Sequence, residues 1–389
     1  MVTYSKPNPI KTVKGRRVGQ WDHWLIISVI LLVGIGLILA LDTSFPTLFH
    51  QIRLPNGGES LSGNQYAYLI RFAGAVLVGI AVAWGVMRVD IQTIRHLAPL
   101  LFWGSVILLL LVYVPHVGIR HLGGSRWLGY KIFQIQPSEL AKVATIIYIT
   151  ALICSPHNRV QELTSGYLYT AGVLCIAATL ITFEPDLGTA STLFIAGLFA
   201  LYMGNAKKRY VLLTFLLAGV VLIGLVSCNK ERRSRIMEFL DHKHHAGYQI
   251  HNSKLAIGSG GVMGVGIGNG KGKYFVPESN TDFVFPTWAE ETGFVGSALL
   301  LLLEFTVGWR GFVISWRSPD PYSRLLAASF SAMFSLQALL NIAVVTGLWP
   351  VTGVPLPFIS YGGTSILCSF LIIGLLLRIQ RETALRVNR

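Results

Sequence analysis

From Asp22 to Leu41 the chain reads DHWLIISVILLVGIGLILAL. From Trp24 onward this stretch carries no charge and no proline. A helix of about 20 mostly apolar residues is long enough to cross the hydrocarbon core of a bilayer. The stretch is therefore expected to span a membrane. It does not read as a cleavable signal peptide, because it is long and no small-residue cleavage site follows it before the next polar loop. Similar runs recur at 66–86, 97–114, 137–154, 167–183, 189–204, 210–228, 287–315, 322–348 and 363–379, giving ten expected spans.

The composition agrees. Of 389 residues, 52% are hydrophobic and 13% charged. The charged share is about half that of an ordinary soluble domain. A soluble enzyme of this size has nowhere to hide so much apolar surface, and a disordered chain would be far more polar. An outer-membrane barrel would alternate apolar and polar residues instead of running apolar. The expected fold is all-α, a polytopic integral membrane helical bundle of about ten transmembrane helices. Residues 1–389 read as a single membrane domain, with a long external loop at 229–286 and cytoplasmic tails at 1–21 and 380–389. The four cysteines lie in or beside apolar runs without CxxC spacing, as small core residues do.

Thirty-two basic and 18 acidic residues leave a net charge of +14. The basic residues sit mostly between apolar runs, so a membrane surface or an anionic head group is expected as the partner, not nucleic acid. The positive-inside rule assigns the sides. Lys6, Lys11, Lys14, Arg16, Arg17, Arg88, Arg95, Arg159, Lys207, Lys208, Arg209, Arg317, Arg381, Arg386 and Arg389 fall on one side, with both termini. Both chain ends are thus expected in the cytoplasm. Two opposite loops, 115–136 and 229–286, break the pattern with their own basic residues. They hold either a tolerated charge excess or cations placed for an anionic head group such as a pyrophosphate.

Those two loops, the span ends beside them and two further loops carry the chemistry-bearing residues. Arg126-Trp127 suits an interfacial anchor, or a guanidinium on phosphate with an indole under a sugar. Glu139 and Lys142, three apart at the start of a span, share a face. They form a structural ion pair or line a cavity. Glu184-Pro185-Asp186 reads first as a tight turn, with metal coordination by Asp186 as the alternative. The glycine-dense run from Gly258 to Gly272 fits neither Walker A nor GxGxxG spacing, and is expected to be flexible backbone that approaches a ligand closely. Asp282 stands where the long loop re-enters apolar surroundings, and serves as a helix cap or a general base. Glu290 and Glu291 follow. Residues 350–365 hold three prolines and three glycines, so they are expected to pack on protein or line a cavity rather than form a helix.

Taken in order, Arg126-Trp127, Gln136 to Lys142, Glu184 to Gly188, Gly247-Tyr248-Gln249, Gly258 to Gly270, Pro277-Glu278 with Thr281-Asp282-Phe283, Glu290-Glu291-Thr292-Gly293 and Pro350 to Ser365 resemble the SEDS family of polytopic cell-wall polymerases, whose members include RodA and FtsW. The resemblance implies peptidoglycan glycosyltransferase activity at the outer face of the cytoplasmic (inner) membrane of a bacterium, with lipid II as substrate and undecaprenyl pyrophosphate as leaving group. It implies a class B penicillin-binding protein transpeptidase as partner. The family's essential loop aspartate falls on Asp282. Its tryptophan falls on Trp127, and its span-opening acid and base on Glu139 and Lys142. Arg126, Lys273, Glu290 and Ser360 complete the expected substrate-binding set. A divalent cation (Mg or Mn) on the pyrophosphate has no clear ligand set in the sequence. Pro350 to Pro357 looks RodA-like, pointing to cell elongation and shape, with a division-specific FtsW-type polymerase and a lipid II flippase as the alternatives. Pro286, Trp288, Thr292 and Thr364 depart from the family's usual residues. Trp127, Lys142 and Asp282 are expected to line one cavity on the external side.

Overall fold

The computed structural model describes residues 21–44, 66–114, 118–121, 124–130, 133–184, 186–228, 233–234, 237, 239 and 247–387. The N-terminal tail up to residue 20, residues 45–65, Lys131, Pro185, most of 229–246 and the last two residues lie outside it. The expectations placed on them are therefore not addressed by it.

Each of the ten apolar runs coincides with a helix. They are α1 (His23–Asp42), α2 (Ala67–Val86), α3 (Ile91–Leu111), α4 (Pro137–Ile153), α5 (Tyr167–Phe183), α6 (Leu187–Met203), α7 (Lys208–Cys228), α9 (Val284–Arg317), α10 (Pro321–Val345) and α11 (Gly363–Val387). By length and composition, α1, α2, α3, α9, α10 and α11 suffice to cross a membrane, and α5 and α6 are shorter apolar helices. Local chemistry sets the starts. Asp22 caps α1 by accepting from Leu25 N at 3.1 Å, and Asp186 caps α6 by accepting from Thr189 N at 3.0 Å. Pro137 and Pro321 occupy the first turns of α4 and α10, where a missing N–H costs nothing.

The helix α4 is buried along almost its whole length and forms the centre of the bundle. Around it α3, α5, α6, α10 and α11 pack, while α9 lies against α1 and α10, and α11 along α2. Small residues let the backbones approach. A Cβ built on Gly311 would fall 2.1 Å from the Ser331 hydroxyl, and one built on Gly374 would fall 2.8 Å from the Ala83 backbone. The outward faces of α2, α3 and α7 stay apolar, with Leu77, Trp84, Leu100, Trp103, Leu213 and Ile223 exposed, as lipid contact requires.

Three features differ from the sequence expectation. Loop 115–136 contains an antiparallel sheet of β1 (Gly118–His121), β2 (Gly124–Tyr130) and β3 (Phe133–Ile135), in that order, with Trp127 opposite Ile119 and Leu128 opposite Ile135. The long loop carries an eleventh helix among the described residues, α8 (Tyr248–Ser259), joined to the end of α10 by Ser253 Oγ donating to Val345 O at 2.6 Å. The helix α11 runs on to Val387, so most of the expected tail 380–389 is helical, aided by Arg386 and Glu382 pairing one turn apart.

The glycine-dense run is a structural splice rather than flexible backbone. The helix α9 breaks at Gly293, with φ 67° and ψ −160°. The break strands carbonyls on one side and amides on the other. The glycine run supplies both. Val265 N and Gly266 N donate to Glu290 O and Glu291 O at 3.0 Å each, and Phe294 N donates to Gly261 O at 2.9 Å. A Cβ built on Gly293 would fall 2.4 Å from Gly264 N and 2.5 Å from Val262 O. At Gly260, Gly264 and Gly293 a side chain would collide with the facing backbone.

Candidate active site

The side chains expected to be functional gather at one end of the bundle. Asp282 is half-buried immediately before α9. Thr281 Oγ1 donates to its Oδ1 at 2.9 Å. Its other oxygen faces Gly353, where a built Cβ would lie 3.7 Å away. Burial pushes the carboxyl up to about 6; Thr281 and the Arg126 charge pull the other way, and Glu278 adds to the rise. A carboxylate tuned to that range suits a general base near neutral pH.

Arg126 projects from β2, donating from Nε to Glu184 O at 3.0 Å. Its charge acts on both Asp282 and Glu184. Glu184 is completely buried, both its carboxylate oxygens lack a hydrogen-bond partner, and burial beside Asp186 pushes it up to about 9. Asp186 is spoken for. It caps α6 and accepts from Gln136 Nε2 at 3.0 Å and Ser138 Oγ at 3.3 Å. These bonds match the turn reading of the sequence. Trp127, next to Arg126 on β2, is half-buried.

Glu139 and Lys142 form a buried ion pair at 2.9 Å, each 2% exposed. Lys142 Nζ also donates to Gln337 Oε1 at 3.0 Å. The pair lines a small cavity with Met333, Phe334, Gln337 and Cys368, among others. Asp282 and Trp127 are not among its walls. Lys142 reaches the Asp282 segment through α10 and the last loop instead. Gln337 Nε2 donates to Pro355 O at 2.9 Å, and Asn341 Nδ2 to Val354 O at 2.7 Å and Asp282 O at 2.8 Å.

Residues 350–362 carry no helix, as expected, and Val354, Leu356, Phe358, Ile359 and Ser360 are buried. Phe358 adopts φ 60° with its ring against Phe334 and Phe370, a conformation held by its packing. Ser360 Oγ accepts from Leu356 N at 2.7 Å, closing the loop on itself. Tyr361 N donates to Asn280 O at 2.9 Å, tying the loop to the Asp282 segment.

Lys273, Glu290 and Glu291 build a second cluster. Lys273 Nζ pairs with Asp42, and with Glu291 Oε1 at 3.1 Å, and donates to Gly268 O at 3.0 Å. Glu290 accepts from Lys271 N at 3.0 Å and Gly272 N at 2.7 Å. These bonds anchor the glycine run to α1 and α9, and they engage both side chains expected to meet substrate. Gln337 and Asn341 escaped the sequence reading. Two carboxamides four residues apart inside an apolar run were the available signal.

The chain matches, over residues 22–385, the FtsW/RodA/SpoVE family described as cell cycle protein. It belongs to this family. A probable peptidoglycan glycosyltransferase FtsW from Trichlorobacter lovleyi is 34% identical over 367 residues, 93% of this chain and 94% of that protein. Stage V sporulation protein E of Bacillus subtilis is 33% identical over 364 residues, covering 92% and 97%. Among solved structures, a chain of a peptidoglycan synthase complex that coordinates polymerization and crosslinking superposes with a TM-score of 0.75 at 26% identity, covering 93% and 98%. The rod shape determining protein RodA of Thermus thermophilus gives 0.66 at 26% identity, covering 93% and 97%. With its apolar helices and these relatives, the chain is a multi-pass membrane protein.

Proposed function

We propose that this protein polymerises lipid II into glycan strands, with Asp282 as the general base. Its family membership makes it an enzyme of the peptidoglycan glycosyltransferase class. The carrying observation is the half-buried Asp282 carboxyl, raised to about 6, in the field of Arg126 and Glu278. In the reaction the acceptor sugar's hydroxyl attacks the donor's anomeric carbon. Asp282 takes the hydroxyl proton as the new C–O bond forms. The bond to the pyrophosphate oxygen breaks, and undecaprenyl pyrophosphate departs with its charge stabilised by the Arg126 guanidinium. Trp127 supports a sugar ring beside it, and Glu139–Lys142 secures the start of α4. Lys273, Glu290 and Ser360 serve the substrate through the loops they hold. Among the described residues no three His, Cys, Asp or Glu side chains converge on a metal position, and no step is drawn through a cation.

The reading places both termini in the cytoplasm and Asp282 on the outer face of the inner membrane, in one membrane domain. A class B penicillin-binding protein crosslinks the product strand, a partnership supported by the likeness to a synthase-complex chain. Two cellular settings have support. Pro350 to Pro357 favours cell elongation and shape, and the relatives named FtsW and SpoVE favour division or sporulation. The test is Asp282→Asn in purified protein supplied with lipid II and no other polymerase. The variant folds and inserts but makes no strands. Full polymerisation by it removes Asp282 from the chemistry.

A further inference from the structure

We propose that Asn341 is a positioning residue for Asp282, using one side-chain amide to lock the segment that carries the base against the last loop. The inference rests on the reading of Asp282 as base. Asn341 sits on α10 one turn after Gln337, on the same face, and is 1% exposed. Its Nδ2 donates both hydrogens, one to Asp282 O at 2.8 Å and one to Val354 O at 2.7 Å. The two acceptors belong to segments far apart in sequence. No other side chain in the described residues bonds the Asp282 carbonyl and the last loop at once.

The clamp fixes the backbone that aims the carboxylate. Thr281 holds Oδ1 at 2.9 Å, and Tyr361 N holds Asn280 O at 2.9 Å on the other side of the residue pair. With Asn341 in place, Oδ2 is left toward Gly353, which presents no side chain to it. The same amide also satisfies two backbone carbonyls, Asp282 O and Val354 O, so its loss is expected to cost stability as well as aim. One turn away Gln337 links Lys142 to Pro355 O by the same logic, so α10 holds both halves of the site in register with the loop.

The test compares Asn341→Leu, close in shape but without N–H donors, with the parent in purified full-length protein given lipid II. Rates are normalised to the folded fraction. We expect kcat to fall by about 10²-fold, the size of effect that a displacement of about 1 Å produces. KM is expected to stay within about threefold, because the groups proposed to bind substrate are untouched. A merely structural loss would lower the folded fraction and leave kcat per folded molecule unchanged, which overturns the proposal. A raised KM with unchanged kcat overturns it as well. If Asn341→Leu does not fold, Asn341→Ala, which also removes the donors, is measured with the same expectation. Asp282→Asn, run beside them, separates the two claims. An inactive Asp282→Asn with a fully active Asn341 variant refutes the positioning role alone, and an active Asp282→Asn refutes the base and this inference with it.

Discussion

The proposed role of Asp282 as base sets a pH dependence for strand formation. A base works only when ionised. Burial lifts this carboxyl from an ordinary 3.8 to about 6. The rate should therefore sit on a plateau above neutrality and fall as the pH drops, with a midpoint near 6. One unit below the midpoint about a tenth of the molecules are ionised, so kcat/KM at pH 5 should be about tenfold below the plateau. An unshifted carboxyl would lose less than a tenth of its activity there. The Arg126 charge lowers this carboxyl, so Arg126→Gln should move the midpoint upward as well as weaken turnover. The assay is initial-rate strand formation from lipid II between pH 4.5 and 8, each point corrected for protein that has lost its fold. A profile flat down to pH 5, or an Arg126→Gln midpoint that does not move up, would refute the electrostatic reasoning.

Glu184→Gln should remove a pH dependence of stability. The folded state holds that proton up to about 9 against an ordinary 4.5, so the parent is favoured below 4.5 and loses about 3 kcal/mol by pH 7, while the variant's unfolding in detergent should not show this slope. Gly293→Ala should cost about 3 kcal/mol, because φ 67° is hostile to a side chain and the new methyl meets the Gly264 and Val262 backbone; an unchanged melting temperature would refute the splice. Glu304→Gln should polymerise at the parental rate, and a loss above about tenfold would implicate the middle of the bundle.

The ten helices were legible because hydrophobic length is a local signal that needs no knowledge of neighbours. So were the caps and turns at Asp186 and Pro137, where residue type acts within one helical turn. What the sequence hid depends on partners distant along the chain. Gly258 to Gly272 reads as flexible until Gly293 is seen to break α9 beside it, after which the close approaches at Gly260 and Gly264 demand a missing side chain. Lys273 looks like an exposed loop cation, yet Asp42, at the end of the first span, buries it. Strands β1 to β3 are short, and β2 contacts α4 while β3 contacts α11, an element distant along the chain that a local reading does not see. Asn341 is polar in an apolar run, but its meaning appears only when residues 282 and 354 meet it.

The placement of ionisable groups bears on whether such a chain joins sugars or moves lipid across the bilayer. Chain direction alternates from span to span. The C-terminal ends of α1, α5 and α10 therefore meet the N-terminal ends of α4, α6, α9 and α11. Asp42, Glu139, Lys142, Glu184, Asp186, Lys273, Asp282, Glu290 and Glu291 all lie at these ends, and bonds such as Lys273–Asp42, Gln136–Asp186 and Gln136–Thr364 stitch the ends together. A transporter of the alternating-access kind keeps its charged site near the bilayer midplane, on broken helices that expose it to each side in turn. Here the one broken helix among those described, α9, breaks at the charged end, and the break is filled by the glycine run rather than left open to a ligand. Glu304 is the carboxyl that lies well inside that helix. It is buried with both oxygens unpartnered, and among the described residues no ion pair includes it. A cluster of ionisable groups at one face of the bundle is the distribution that the proposed reaction requires.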